Sequence, residues 1–234
     1  MQYKYITCKL PSNGLIYPTK EIHLRAKTIF DIKMLLGNPV FQLKSEIDAL
    51  NSCIDPNDNI DVYDLVNQDV VYLLYKLRSM SDDILKIIYK KVEYPINISD
   101  LDIKYLEEYN NEVTLPDSGF LVYLDYTPIK RIFNMNEQQK EFLSKYPEYH
   151  GDVNNTLMIL NSIKMIERTT DKDHLRNILE GLSFKDSIYL INKIEEFNKL
   201  DFGVVEEVTI KEKDTGTEIK VPLQINENFF RPAP

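Results

Sequence analysis

Between Leu65 and Leu77 the apolar residues fall into a helical stripe that water cannot tolerate on both sides. Leu65, Val66, Val70, Leu73, Leu74 and Leu77 stand at i, i+1, i+5, i+8, i+9 and i+12, with Asp64, Asn67, Gln68 and Lys76 opposite. A helix of this kind requires a core to lie on, so the rest of the chain must supply one. Asp61 is its expected cap, and Arg78-Ser79-Met80-Ser81 its expected end. Residues 42–54 add Leu43, Ile47, Leu50 and Ile54 at helical spacing. The pattern then turns strand-like at Ile84, Ile87, Ile88 and Tyr89, is broken by Pro95, and resumes at Ile96, Ile98, Leu101 and Ile103. A short helix is expected near Ile103–Tyr109.

Both ends of the chain read as hairpins. Tyr3, Tyr5 and Thr7 alternate with Gln2, Lys4 and Ile6. Turn residues Pro11-Ser12-Asn13-Gly14 follow, then short strands at Leu15-Ile16-Tyr17 and Ile22-His23-Leu24-Arg25. Thr28 is the expected N-cap of a helix from Ile29 to about Leu36, stopped at Gly37-Asn38-Pro39. Mid-chain, Leu115-Pro116-Asp117-Ser118-Gly119 before Phe120-Leu121-Val122-Tyr123-Leu124 repeats the pattern of Leu10-Pro11-Ser12-Asn13-Gly14. Two copies of so short a pattern fit a duplicated hairpin and two independent turns equally well. Residues 127–200 read as mostly helical. Thr127-Pro128 opens one helix, and Leu157, Leu160, Ile163 and Ile166 lie along one side of another. Asp171 or Asp173 caps a third. Ser183 starts a fourth, with Ile188, Ile191, Ile194 and Phe197 at helical spacing. Val204, Val205, Val208 and Ile210 lead into a turn at Lys213-Asp214-Thr215-Gly216, after which Ile219 and Val221 alternate with Glu218 and Lys220.

The expected fold class is therefore α+β: a mainly helical middle with short β-hairpins near the N-terminus, mid-chain and near the C-terminus. A division is expected at 1–125, an α+β region with the Leu-Pro turns, and 126–234, a helical region ending in a hairpin and tail. The two can also form one domain. At 234 residues the chain is long enough to bury a core without disulfides.

Composition removes several functions. Lys plus Arg number 28 against 37 Asp plus Glu, a net charge of −9, so no global basic footprint for nucleic acid exists. Seven glycines argue against Gly-rich phosphate cradles. Two cysteines, Cys8 and Cys53, make neither a disulfide framework nor a four-sulfur zinc site, and suit a reducing cytoplasm. No secretory signal and no membrane-length apolar run is expected.

Local motifs yield no chemistry. Asp55, Asn57, Asn59 and Asp61 alternate as calcium ligands would, but Ile60 stands where a sharp loop needs Gly, and Val66 where a bidentate Glu belongs. A polar loop capping the next helix explains them. Asp171-Lys172-Asp173-His174 reads as a helix start. His23 and His150 are isolated. Glu107-Glu108 and Glu195-Glu196 are adjacent and diverge on a helix. Lys90-Lys91 and Lys130-Arg131 are short surface pairs. The remaining candidate is the tail: Phe229, Phe230, Arg231 and Pro232 either fold back onto the core or are buried by a partner.

Four features in order carry a resemblance. The first is Leu10-Pro11-Ser12-Asn13-Gly14-Leu15-Ile16-Tyr17-Pro18. The segment DVVYLLYKLR at Asp69–Arg78 follows, then the second Leu-Pro turn at Leu115–Gly119. Last come Val221-Pro222-Leu223 and Phe229-Phe230-Arg231-Pro232. This layout resembles the baseplate hub family of T-even-like contractile-tailed bacteriophages over nearly the whole chain. In many members of that family Cys-x-x-Cys knuckles interrupt hairpins. They would fall near Val92–Pro95 and Glu212–Thr215, where this chain has no Cys, so no zinc site carries over.

The resemblance implies a non-enzymatic baseplate hub component, without cofactor, acting in tail assembly through contacts with other phage tail and baseplate proteins. It would reside in the host cytoplasm during assembly and in the virion baseplate if retained. The alternative it implies is an assembly chaperone for the tape-measure protein, absent from the mature virion. Neither nucleic acid nor membrane is expected as a partner. A tail-tip hydrolase lacks its nucleophile and acid–base pair in this sequence.

Overall fold

The computed structural model describes residues 3–36, 42–199, 201–205, 207–213 and 215–223. The fold is α+β, with several small antiparallel hairpins beside the helices. The described residues form two compact units. Unit 1 holds those up to Glu107 and those from Phe202 onward; unit 2 holds those of Glu108–Asp201.

Unit 1 begins with a hairpin of β1 (Tyr5–Lys9) and β2 (Glu21–Arg25), in register Tyr5↔Arg25 to Lys9↔Glu21. Its long connection contains no strand at Leu15–Tyr17, contrary to the sequence expectation. Those residues follow the turn rather than pair. Helix α1 (Ile29–Leu36) starts where expected, with a reciprocal cap: the Asp31 N–H donates to Thr28 Oγ1 at 3.4 Å and the Thr28 N–H to Asp31 Oδ2 at 2.6 Å. The expected stop at Gly37-Asn38-Pro39 lies outside the described residues. Helix α2 (Gln42–Cys53) packs on α1.

Asp61 is a cap, but of a 3₁₀ turn at Val62–Asp64, where it accepts the Tyr63 N–H at 3.0 Å. Helix α3 (Asn67–Ser79) therefore starts later than the stripe, and Leu65 and Val66 are buried in the approach to it. The stripe Val70, Leu73, Leu74 and Leu77 is buried as its spacing requires, and Tyr72 and Tyr75 are buried as well. α3 is wrapped on more than one side: by α2, by β9 (Gly203–Val204) and by a 3₁₀ turn at Ile98–Asp100.

β3 (Ile84–Tyr89) and β4 (Val92–Asn97) pair around Lys90-Lys91, both of which adopt positive φ. Pro95 does not break the run; it sits inside β4 opposite Lys86. A two-stranded sheet is all edge, so the missing N–H can face outward. The helix expected near Ile103–Tyr109 is instead β5 (Ile103–Lys104), antiparallel to β9. β10 (Glu207–Lys211) and β11 (Glu218–Pro222) form the last hairpin.

In unit 2, β6 (Glu112–Thr114), β7 (Leu121–Leu124) and β8 (Ile163–Ile166) make an antiparallel sheet in that order. Five helices join it: α4 (Ile129–Phe133), α5 (Met135–Lys145), α6 (Val153–Asn161), α7 (Lys172–Glu180) and α8 (Phe184–Asn198). Pro128 stands at the cap of α4 rather than at its first helical position. Asp171 caps α7 through the His174 N–H at 2.9 Å, and Ser183 caps α8 through the Asp186 N–H at 3.1 Å.

The single helix read across Leu157–Ile166 divides. α6 ends at Asn161, and Ile163 pairs with Leu124 in β8, with a register shift beside it. A spacing of three suits a helix, and a bulged strand reproduces it. The buried end of α6 is answered by cations: Lys172 Nζ donates to the carbonyls of Leu160 and, just past the helix, Ile163, and Arg131 donates to that of Asn161 at 2.9 Å. Burial first, and Arg131 second, bring the Lys172 pKa down to about 8. Tyr126 stacks on Phe197 with ring centroids 4.4 Å apart.

Candidate interaction surfaces

The motifs that repeat in the sequence repeat in construction. In unit 1 the Leu10 N–H donates to the Lys20 carbonyl at 2.8 Å, and in unit 2 the Leu115 N–H donates to that of Phe120 at 2.9 Å. Both leucines are buried, and Gly14 and Gly119 take φ of 74° and 72°, where a side chain would be strained. Each turn is then held by an aspartate in the third position of a helix. Asp69 of α3 accepts the Ser12 N–H at 2.9 Å. Asp186 of α8 accepts those of Asp117 at 2.8 Å and Ser118 at 2.9 Å.

The two carboxylates titrate in opposite senses. Burial raises the pKa of Asp69 to about 6, and hydrogen bonding from Ser12 offsets this in part. Asp69 Oδ2 and Ser12 Oγ are buried without a hydrogen-bond partner. Burial also works to raise Asp186, but the N–H groups of Asp117 and Ser118, with Lys185, outweigh it and bring the pKa below the usual range. Sequence reading passed over both aspartates. The signal available was a tight turn whose N–H groups need an acceptor, together with a carboxylate in a helix's first turn.

A third buried carboxylate fixes α1. Asp31 accepts from Arg25 at 2.7 and 3.3 Å, from Ser52 Oγ at 2.5 Å, and from Thr28 Oγ1 at 2.7 Å. Arg25 also donates to the Ser52 carbonyl at 2.7 Å and lies over the Tyr3 ring. Burial pushes the Asp31 pKa up, but Arg25, Ser52 and Thr28 together hold it well below the usual carboxylate range.

The hairpin tips that the resemblance marks for paired cysteines lie against each other. Lys90 Nζ pairs with Glu212 at 2.8 Å, the Lys213 N–H donates to the Tyr94 hydroxyl at 3.3 Å, and Thr215 Oγ1 donates to Glu212 at 2.6 Å. An ion pair and hydrogen bonds occupy the place.

The other singled-out residues serve local structure. Asp55 caps a 3₁₀ turn at Pro56–Asp58, and Asp58 accepts the His23 N–H at 2.6 Å and faces its Nδ1 at 2.9 Å. Asp173 pairs with Lys145 and accepts from the Tyr146 hydroxyl at 2.5 Å. Cys8 and Cys53 are free and buried, and burial pushes both thiols up to about 11. Among the described residues no group of three or more His, Cys, Asp or Glu could hold a metal ion, and no helix is long and apolar enough to cross a membrane. Phe229, Phe230, Arg231 and Pro232 lie outside the described residues.

Unit 2 has a cleft of about 420 Å³ between β6 and α8, lined by Glu112, Val113, Tyr189, Lys193, Glu196 and Phe197 among others. A second cleft of about 160 Å³, mostly apolar, lies among α6, α7 and α8 at Ile159, Leu179, Leu182, Leu190 and Ile191. It adjoins an exposed stripe on α8. Ile194 and Phe197 are buried as expected, with Leu190, but Ile188 and Ile191 are exposed, and so is Phe184 at 83%. The helix has apolar residues on two sides, so spacing alone could not say which side faces the core.

A protein-family model described as T4 bacteriophage base plate protein matches residues 2–231. No curated protein and no solved structure matches the chain.

Proposed function

The chain belongs to the T4 bacteriophage base plate protein family, and from that premise we propose that it is a hub component of the tail baseplate. It acts in assembly through protein–protein contacts with other tail proteins and performs no chemistry of its own. The observation that supports this reading is the second apolar side of α8. Phe184, Ile188 and Ile191 stand at i, i+4 and i+7 opposite the buried Asp186, Leu190, Ile194 and Phe197. A helix that met only water there would carry polar residues. A contiguous exposed apolar stripe marks a contact with another protein.

Mass spectrometry of purified mature particles tests the reading. The expected result is this chain at a fixed ratio to other baseplate proteins. Its absence from particles, with tail assembly failing in its absence from the cell, would overturn the retained role in favour of a transient chaperone of the tape-measure protein.

Phe229, Phe230, Arg231 and Pro232 are proposed as a further contact with a partner. Deleting residues 226–234 should leave the unfolding midpoint unchanged while reducing incorporation into baseplates. A truncated chain that assembles normally removes the docking role, and one that loses stability points to a tail folded back on the core.

A further inference from the structure

We propose that the outward face of α1 is a docking ridge for an amphipathic helix of a partner tail protein, one whose apolar face is flanked by carboxylates. This rests on the reading of the chain as a protein-docking baseplate component and names the chemistry of one partner. The helix is turned inside out. Its one carboxylate, Asp31, is fully buried, whereas Ile29 is 74%, Phe30 67% and Ile32 42% exposed. Steps of 100° per residue put Ile29, Ile32 and Lys33 together and Asp31 on the far side. The clamp by Arg25, Ser52 and Thr28 fixes that rotation. Turning α1 to hide Phe30 would pull Asp31 away from every group that holds it. The apolar face is thus built in, and six of the eight α1 residues are apolar, too many for one buried side.

Spacing and charge choose the occupant. A ridge at i, i+3 and i+4 is the shape that fits between the side chains of another helix. From Arg25 to the end of α1 at Leu36 the cations are Arg25, Lys27 and Lys33 and the only acid is Asp31, within a chain of net charge −9. Arg25 and Asp31 neutralise each other. Lys33 is exposed on the ridge itself, and among the described residues no carboxylate pairs with it. A partner that covers this face must answer positive charge with carboxylates. The α8 stripe makes no such selection: Lys185, Lys193 and Lys199 beside it are paired with Asp117, Glu196 and Glu195.

The test uses the full chain and two labelled synthetic helical peptides with the same apolar face, one flanked by Glu and one by Lys, titrated by fluorescence anisotropy. The Glu-flanked peptide should bind at least about tenfold more tightly. Lys33→Glu should reverse the order. Ile29→Ser with Phe30→Ser should abolish binding without moving the unfolding midpoint, because both side chains are exposed. Equal binding of the two peptides, binding of neither, or binding that survives the double serine variant would overturn the proposal. So would concentration-dependent dimerisation that the same variant abolishes, which would make a second copy the occupant. If particles contain the chain and neither peptide binds, the ridge fails alone. If peptides bind as expected and particles lack the chain, the retained baseplate role fails alone.

Discussion

Asp31→Ala should destabilise unit 1 by about 3–5 kcal/mol, the cost of leaving one member of a buried ion pair uncompensated. The Arg25 guanidinium would keep its bond to the Ser52 carbonyl and lose its charge partner. The Thr28 N–H would lose its acceptor as well, and the Ser52 hydroxyl would be left with the Ala49 carbonyl at 2.8 Å. Arg25→Met should cost a similar amount from the other side. The pair Arg25→Met with Asp31→Leu should fall short of the summed losses by about 1–3 kcal/mol, because removing both charges leaves neither stranded. Urea denaturation of the four proteins measures this, and strict additivity would mean that the two charges do not act as a pair. A pH dependence accompanies it. The folded pKa of Asp31 lies below its unfolded value, so its contribution is present above the ordinary aspartate range and disappears as pH falls through the folded value. The wild type should therefore lose stability on acidification faster than Asp31→Ala.

What could be read from the sequence was whatever is decided within a few residues. Thr28, Asp171 and Ser183 cap their helices because the donors they satisfy are three residues away. The hairpin of β10 and β11 follows from local alternation and turn residues, whereas the tight turn at Lys90-Lys91 that folds β4 back on β3 carries no such turn residues. The misreadings involve distant partners. Ile163 is in a strand because Leu124 is there to pair with it, and Ile103 because Val204 is. Neither pairing leaves a mark in the segment itself. The return of the chain to unit 1 after Asp201 is the same kind of fact.

The interaction surfaces were hidden for a related reason. Helical spacing counts apolar residues without saying which side is inside, so Ile188 and Ile191 count with the buried Ile194 and Phe197 as one set, and nothing in the spacing turns Asp31 inward. What decided the matter was Arg25, six residues away on β2, and the turn at Asp117–Ser118, far along the chain from Asp186. The Leu-Pro repeats were visible as words, but the acceptors that make both into the same structure lie 57 and about 70 residues on.

Asp69→Asn should stabilise the protein at pH 7 and leave it unchanged near pH 4. The folded pKa of Asp69, raised from 3.8 to about 6 by burial, lies above its unfolded value. The group's contribution is then fully present below pH 3.8 and is lost as pH rises through about 6, because folding must bury a charge that the unfolded chain keeps in water. A shift of that size corresponds to about 3 kcal/mol between the two limits. Asparagine keeps an oxygen for the Ser12 N–H and carries no charge, so the variant should be flat where the wild type declines. The informative quantity is the difference between the two unfolding free energies across pH 4 to 7, since it cancels the other carboxylates; a difference independent of pH would refute the argument. Asp186 supplies the contrast. Its turn is exposed, offers two N–H groups instead of one and has Lys185 beside it, so its folded pKa lies below the unfolded value. Asp186→Asn should therefore lose stability at pH 7 relative to wild type and converge with it on acidification, the opposite sign from the same construction.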